Sequence, residues 1–355
     1  MHILRILALA CTAALASGCG KDNAANQLPP LAIRGVDASF IPDIQAKGVT
    51  PFNDQGQREN MLATLKKAGV NAIRVRVWHS PADGVSGLPE VKAFADDIRS
   101  HGMKVWLTVH YADSWADPGK QPTPAAWAGL PFETLKDSVY QYTRQLMIAL
   151  RPDIIQIGNE INGGLLWPQG RYDQPAQMKA LLQQGILGAR STASNAQIML
   201  HYAGYEGAPE FLNSLRDLDY DLIGISYYPN WHGRNLDDLD RGLRRLATDF
   251  GKPIILAETS YPFTFEWGDQ TNNVIGTPAQ ILDEYPPTPQ GQLDFLLRIR
   301  QIVANVPGGM GMCYWGAEWI AYKGPNATPD GSTWENQALW NLGHRALPAM
   351  KAFAE

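Results

Sequence analysis

Glu160 and Glu258 each stand at the end of a short apolar run, the first after Asp153–Gly158 and Asn159, the second closing Pro253–Glu258. A carboxylate at the end of a buried strand is costly unless it is paired or has work to do. Two of them facing one cleft suit cleavage of a glycosidic bond. One, protonated, donates to the leaving oxygen, and the other attacks the anomeric carbon. The bland alternative is structural ion pairing with Arg74 or Arg76. Neighbouring residue types fit the chemical reading. Asn159 can hydrogen-bond a sugar 2-hydroxyl, Arg74 can hold Glu258 ionised, and Tyr228 can orient it. His110 and His201 are placed either to bind hydroxyls or simply to cap strand ends. Asp113 and His232 follow the third and sixth runs and join them as candidate substrate contacts. Trp315 and Trp319 are candidate sugar platforms, while Trp78, Trp115 and Trp167 divide evenly between core packing and stacking.

Such groups need a scaffold that brings strand ends together. Eight strand-like runs are present: Ile33–Ala38, Ala72–Trp78, Lys104–His110, Asp153–Gly158, Gln197–Tyr202, Asp221–Ser226, Pro253–Glu258 and Gly309–Trp315. They are short, apolar and often β-branched, as buried parallel strands are. Helical stripes lie between them. Met61, Leu62, Leu65 and Ala68 precede Gly69; Val91, Phe94, Ala95 and Ile98 precede Gly102; Leu135, Val139, Tyr142 and Leu146 form a third. The alternation predicts an α/β fold, a single (β/α)8 TIM barrel, whose catalytic groups sit at the C-terminal strand ends. A doubly wound open sheet would carry a glycine-rich turn after its first strand, and Gly35-Val36-Asp37 is not one. Long loops at Tyr261–Gln290 and Gly316–Asn336 are expected to be functional.

Composition narrows the partners. The 355 residues are 45% hydrophobic and 18% charged, with a net charge of −5. There is no basic surplus for a nucleic acid. Eleven tryptophans and thirteen tyrosines are more telling: aromatic faces in a cleft stack on the apolar faces of sugars, although most of the tryptophans are expected to fill the core. At the N-terminus, Arg5 precedes the apolar stretch Ile6–Leu15, too short to span a bilayer, and then Ala16-Ser17-Gly18-Cys19. This resembles the bacterial lipobox. Residues 1–18 are read as a lipoprotein signal peptide, Cys19 as the lipidation site, residues 19–31 as a polar tether and 32–355 as one catalytic domain. The expected location is a bacterial membrane, outer membrane or cell surface, with Gly20 compatible with outer-membrane sorting. Ordinary signal cleavage with a soluble product is the alternative. With Cys11 in the signal and Cys19 lipidated, only Cys313 remains, so the domain has no disulfide and no Cys-rich metal site. A monomer is expected.

The resemblance goes further. Gly35-Val36-Asp37-Ala38-Ser39, Asn71–Trp78, His110–Gln121, Gln156–Ile161, Gly164–Pro168, Tyr227–Gly233, Glu258–Pro262 and Trp334–Leu339 together resemble glycoside hydrolase family 53 of clan A, the arabinogalactan endo-β-1,4-galactanases. The matches run in order through residues 33–345. The resemblance implies a retaining endo-hydrolase of β-1,4-galactan, with Glu160 as acid/base and Glu258 as nucleophile. It also implies a structural calcium ion held by Asp269, Thr271, Asn273, Ser332 and Glu335. Here Thr271 stands where the family has histidine and Glu335 where it has aspartate. The Asp-x-x-x-Asn spacing and the oxygen donors suit calcium.

Three rival readings compete with this one. Another clan A β-1,4-glycanase, a mannanase, cellulase or xylanase, would use the same pair. A carbohydrate-binding surface lipoprotein would have no need of both glutamates. A metal-dependent hydrolase would draw on His110, His201 and His232, which lack paired ligand spacing.

Overall fold

The computed structural model describes residues 28–355; the signal and lipidation readings at residues 1–27 lie outside them. Eight parallel strands close into a barrel in sequence order: β1 (Ile33–Asp37), β2 (Ala72–Val77), β3 (Lys104–Val109), β4 (Ile154–Ile157), β5 (Gln197–Ala203), β6 (Leu222–Ser226), β7 (Ile254–Thr259) and β8 (Gly309–Tyr314). Strands β8 and β1 pair to complete the ring. Each expected run became a strand, with every end at the expected residue or one residue away.

Helices cross over between strands. They are α1 (Ile41–Ala46), α2 (Met61–Lys67), α3 (Leu88–Ser100), α4 (Phe132–Leu150), α5 (Pro175–Arg190), α6 (Ala208–Asn213), α7 (Pro229–His232), α8 (Leu236–Phe250) and α9 (Pro289–Asn305). Asn60 caps α2 through its side chain, accepting from the Ala63 N–H. The stripes read from periodicity face inward: Val91, Phe94, Ala95 and Ile98 on α3, and Leu135, Val139, Tyr142 and Leu146 on α4, are all buried. Gly69 turns the chain with φ +99°, and a Cβ there would lie 2.3 Å from the Phe353 carbonyl. No other residue fits at so close an approach.

The barrel interior is filled in layers. At the bottom Ile33, Ala72, Trp106, Ile154, Met199, Leu222, Ile255 and Cys313 form an apolar plug. Large and small alternate there: a Cβ on Gly224 would meet the Met199 sulfur at 2.6 Å. Two residues further along β2, β3, β4 and β5 the lining turns polar, with Arg74, Thr108, Gln156 and His201 buried, and Asp37 joins them from the end of β1. The Arg74 guanidinium lies over the Trp106 ring, 5.8 Å from its centre. The polar layer is the floor of the cleft.

Strand β7 departs from strict alternation. Ile225 pairs with Leu256, yet Ser226 pairs with Glu258, so β7 carries one extra residue. Ala257 and Ile255 already face the interior. Alternation alone would turn Glu258 outward, and the bulge re-aims it over the barrel mouth.

Candidate active site

A cleft of about 730 Å³ opens at the C-terminal end of the barrel, with both glutamates in its wall. Arg74 organises the floor. Its Nη1 donates to Asp37 Oδ2 at 2.9 Å, its Nη2 to Asn159 Oδ1 at 2.7 Å, and its Nε to Gln156 Oε1 at 3.3 Å. Nη2 also pairs with Glu258 Oε1 at 2.8 Å. The Tyr228 hydroxyl donates to the other Glu258 oxygen at 3.0 Å. Both oxygens of Glu258 are therefore held, and the carboxylate is fixed in one orientation. Burial leaves its pKa raised, with Asp37 adding to the shift and Arg74 and the Tyr228 hydroxyl opposing it.

Glu160 has different surroundings. Among the described residues it forms no ion pair. Burial, reinforced by the Glu258 charge, pushes its carboxyl up to about 8, with the nearby Ser226 hydroxyl opposing the shift. Of the two carboxyls, Glu160 holds the proton at neutral pH. One oxygen of each glutamate and a ring nitrogen of His201 lie within 4.8 Å of one another. That belongs with retaining glycosidases, whose carboxyls stand about 5–5.5 Å apart, and not with the roughly 6.5–9.5 Å of inverting ones.

His110, His232, Asn159, Tyr228 and Trp315 also line the cleft. His110 Nδ1 accepts the Ala116 N–H at 3.0 Å and His232 Nδ1 accepts the Tyr228 N–H at 3.1 Å. Each ring thus carries its proton on Nε2, which leaves a donor for a ligand. Burial holds both neutral, His110 well below the usual range and His232 at about 4.

Three expected substrate contacts stand elsewhere. His201 is wholly buried; its Nδ1 accepts the Glu160 N–H at 3.2 Å and its Nε2 meets Ser226 Oγ at 2.8 Å. It orients Glu160 from behind. Asp113 accepts the Ser80 and Ala125 N–H groups at 2.9 and 2.8 Å and ties two loops. Trp319 stacks on Phe40 at 4.3 Å and props the edge of Trp315 at 5.8 Å. Of the three undecided tryptophans, Trp115 lines the cleft. Trp78 is buried behind it, edge-on at 5.4 Å. Trp167 ties its own loop, its Nε1 donating to the Gly163 carbonyl at 2.8 Å.

Residue types alone missed Asp37, Trp231 and Trp334 as cleft residues. Trp231 and Trp334 are stacked at 6.4 Å, and Trp334 meets Trp315 edge-on at 4.7 Å. A Cβ on Gly316, whose φ is +70°, would lie 2.6 Å from the Trp334 ring, so glycine there admits the indole. The pairing of Asp37 with Arg74 was readable as opposite charges on adjacent strands. Trp334 sits in an aperiodic loop that gives no such signal.

The five candidate calcium ligands do meet, all buried, where the loops after β7 and β8 cross. Asp269 accepts the Thr271 and Ser332 N–H groups at 2.6 and 2.7 Å, and Glu335 Oε1 accepts from Gly268 and Asp269. Glu335 Oε2 and Asn273 Oδ1 are buried without a partner. Burial, with the Asp269 charge beside it, raises the Glu335 pKa. Two buried carboxylates, one with an orphan oxygen, beside the orphan amide oxygen of Asn273 and with no protein cation in contact among the described residues, fit a hard divalent cation. The Thr271 and Ser332 hydroxyls already donate to the Ala327 and Trp319 carbonyls at 3.0 and 2.7 Å. The side-chain oxygens this arrangement leaves are those of Asp269, Asn273 and Glu335, while Thr271 and Ser332 keep backbone carbonyls that accept no hydrogen bond among the described residues.

Comparison with known proteins agrees with this geometry. The model of glycosyl hydrolase family 53 matches residues 33–353. An endo-β-1,4-galactanase of Bacillus subtilis is 37% identical, the match covering 90% of this chain and 85% of the relative. An arabinogalactan endo-β-1,4-galactanase of Cellvibrio japonicus is 32% identical over 97% and 96% of the two chains. The family 53 catalytic domain of Ignisphaera aggregans superposes with a TM-score of 0.86 at 37% identity, covering 93% of this chain and 98% of that one. With the barrel, the carboxyl pair and the match all spanning one domain, this chain belongs to glycosyl hydrolase family 53.

Proposed function

We propose that the cleft hydrolyses β-1,4-linked galactan internally, with retention of anomeric configuration. The observation that carries this reading is the close pair of carboxyls with opposite surroundings, Glu258 paired to Arg74 and Glu160 raised to about 8. Glu258 is the nucleophile: its oxygen attacks the anomeric carbon and forms a glycosyl-enzyme ester. Glu160 gives its proton to the departing glycosidic oxygen, then takes a proton from the water that opens the ester. Asn159 Oδ1 is committed to Arg74 and its Nδ2 to the Ala116 carbonyl, so the amide is held rigid beside the reacting sugar. The nearby Trp315, Trp334 and Trp231 supply apolar faces for neighbouring sugars. Galactan is the choice of backbone because curated family members at 32–37% identity over most of both chains are named for it. Digestion of linear β-1,4-galactan, with reducing ends and early anomers followed together, tests the reading. Cleavage of β-mannan, cellulose or xylan in its place would overturn the substrate.

Calcium at Asp269, Asn273 and Glu335 would clip the two long loops that carry Trp334 and the rim of the cleft, a structural and not a chemical part. The lipobox-like Ala16-Ser17-Gly18-Cys19 supports attachment of the enzyme to a membrane through acylated Cys19. That placement holds the enzyme at the cell envelope, where a polymeric substrate arrives from outside.

A further inference from the structure

Glu160 is one of few non-glycine residues here with positive φ, at +47°, in the left-handed region. That conformation is unfavourable for a residue with a Cβ and persists only where the surroundings enforce it. The enforcing contacts are visible. The buried Gln121, 1% exposed, reaches in from the loop after β3. Its carboxamide nitrogen donates toward the carbonyls of Asn159 at 2.8 Å, Glu160 at 3.2 Å and Asp117 at 3.0 Å. The two carbonyls flanking the Glu160 Cα therefore converge on one donor group. From the opposite side the Glu160 N–H is taken by His201 Nδ1. The Gln121 backbone is itself pinned, its carbonyl accepting the Trp167 N–H at 2.8 Å.

We propose that Gln121 is a positioning residue for the general acid: by holding both carbonyls around Glu160 it imposes the left-handed turn that aims the carboxyl at the glycosidic oxygen. The proposal rests on the reading of Glu160 as acid/base. Its consequence is specific to proton transfer. Without the amide the Glu160 backbone relaxes toward ordinary φ and the carboxyl swings away, while Glu258, on another strand and held by Arg74 and Tyr228, stays in place. Attack by the nucleophile survives, and protonation of a poor leaving group does not.

The test uses Gln121→Met, which keeps the volume and removes the donors. On galactan, kcat should fall about 100-fold with KM nearly unchanged, the scale expected of a misplaced group about 1 Å out of line. With a dinitrophenyl β-galactobioside, whose leaving group needs no proton, the first-turnover burst should keep its native rate. The slowed steady state should recover with azide, which needs no general base. Equal losses on both substrates, or none on galactan, would overturn the proposal. Gln121→Glu provides a second variant should the first not fold. Its carboxyl can donate only while protonated, so its galactanase activity should decline on the alkaline side earlier than that of the native enzyme; an unshifted pH profile refutes the clamp. Glu160→Ala is run alongside. Absence of azide rescue there would remove the acid/base assignment itself, an outcome separate from failure of the clamp.

Discussion

Arg74 makes its ion pair with Glu258, at 2.8 Å, and none with Glu160. The same guanidinium binds Asp37 at 2.9 Å and is 2% exposed. One cation thus settles which carboxyl is the anion. Arg74→Met would leave Asp37 and Glu258 buried without their partner, a change that costs roughly 3–5 kcal/mol. Stability should fall by about that amount, and kcat/KM by at least about 100-fold. Arg74→Lys should recover little, because one ammonium cannot reproduce the fork that reaches Asp37, Asn159 and Glu258 together. Thermal melts and kinetics of both variants check this; native activity in the lysine variant would mean that charge alone suffices.

The raised Glu160 pKa is also a stability statement. Its folded carboxyl binds a proton more tightly than the unfolded one, for which 4.5 is the ordinary value, since it is raised to about 8. The resulting stabilisation is complete below about pH 4.5 and is lost as pH rises through about 8. Glu160→Gln carries no such dependence. Relative to the native enzyme the variant should therefore gain stability between pH 5 and pH 9, with its melting temperature overtaking on the alkaline side. A constant difference across that range would mean that the carboxyl is not raised.

The strands were legible because parallel strands buried on both faces read as short β-branched runs. The two glutamates were legible because the C-terminal strand ends form the site in a barrel. Position along a strand does not say where a side chain points. His201 lies on β5 in the polar layer and points beneath Glu160, so its strand-end place misled. Glu258 shows the converse. It reaches the cleft only through the extra residue in β7, and no pattern in Pro253–Glu258 announces that bulge. Trp334 arrives from a loop whose path depends on Gly316 and on cross-loop hydrogen bonds, which no local periodicity encodes.

Calcium should stabilise the native state by mass action, by about 2.7 kcal/mol at a hundredfold excess over its Kd. The melting temperature should rise with added calcium and fall in EDTA. Asp269→Ala should abolish that dependence while leaving a folded barrel. Identical melts in EDTA and in calcium would show that Asp269, Asn273 and Glu335 hold no ion.

Acylation of Cys19 should place the enzyme in the detergent phase of a two-phase partition. One acyl chain anchors weakly, whereas the several chains of a bacterial lipoprotein hold firmly. Cys19→Ala should shift the protein to the aqueous phase with kcat on galactan unchanged, since the barrel begins at Ile33. An unaltered membrane fraction would sink the anchor.

The mechanism makes the sharpest demand, because the two glutamates must fail in different ways. In Glu160→Ala the ester can still form on an activated aryl galactoside, whose leaving group needs no proton. Water then attacks slowly for want of a base, and azide, which needs none, should open the ester. The product is the β-glycosyl azide, from two successive inversions. In Glu258→Ala no ester can form. The space left by the missing carboxylate can admit azide directly, giving a single inversion and the α-glycosyl azide, or no reaction. Native enzyme should release the β-anomer first, visible in the proton NMR of early products before mutarotation. Early α-anomer would contradict the 4.8 Å grouping of the carboxyl oxygens, which is closer than the separation of an inverting pair. Full activity in either alanine variant would remove that residue from the reaction.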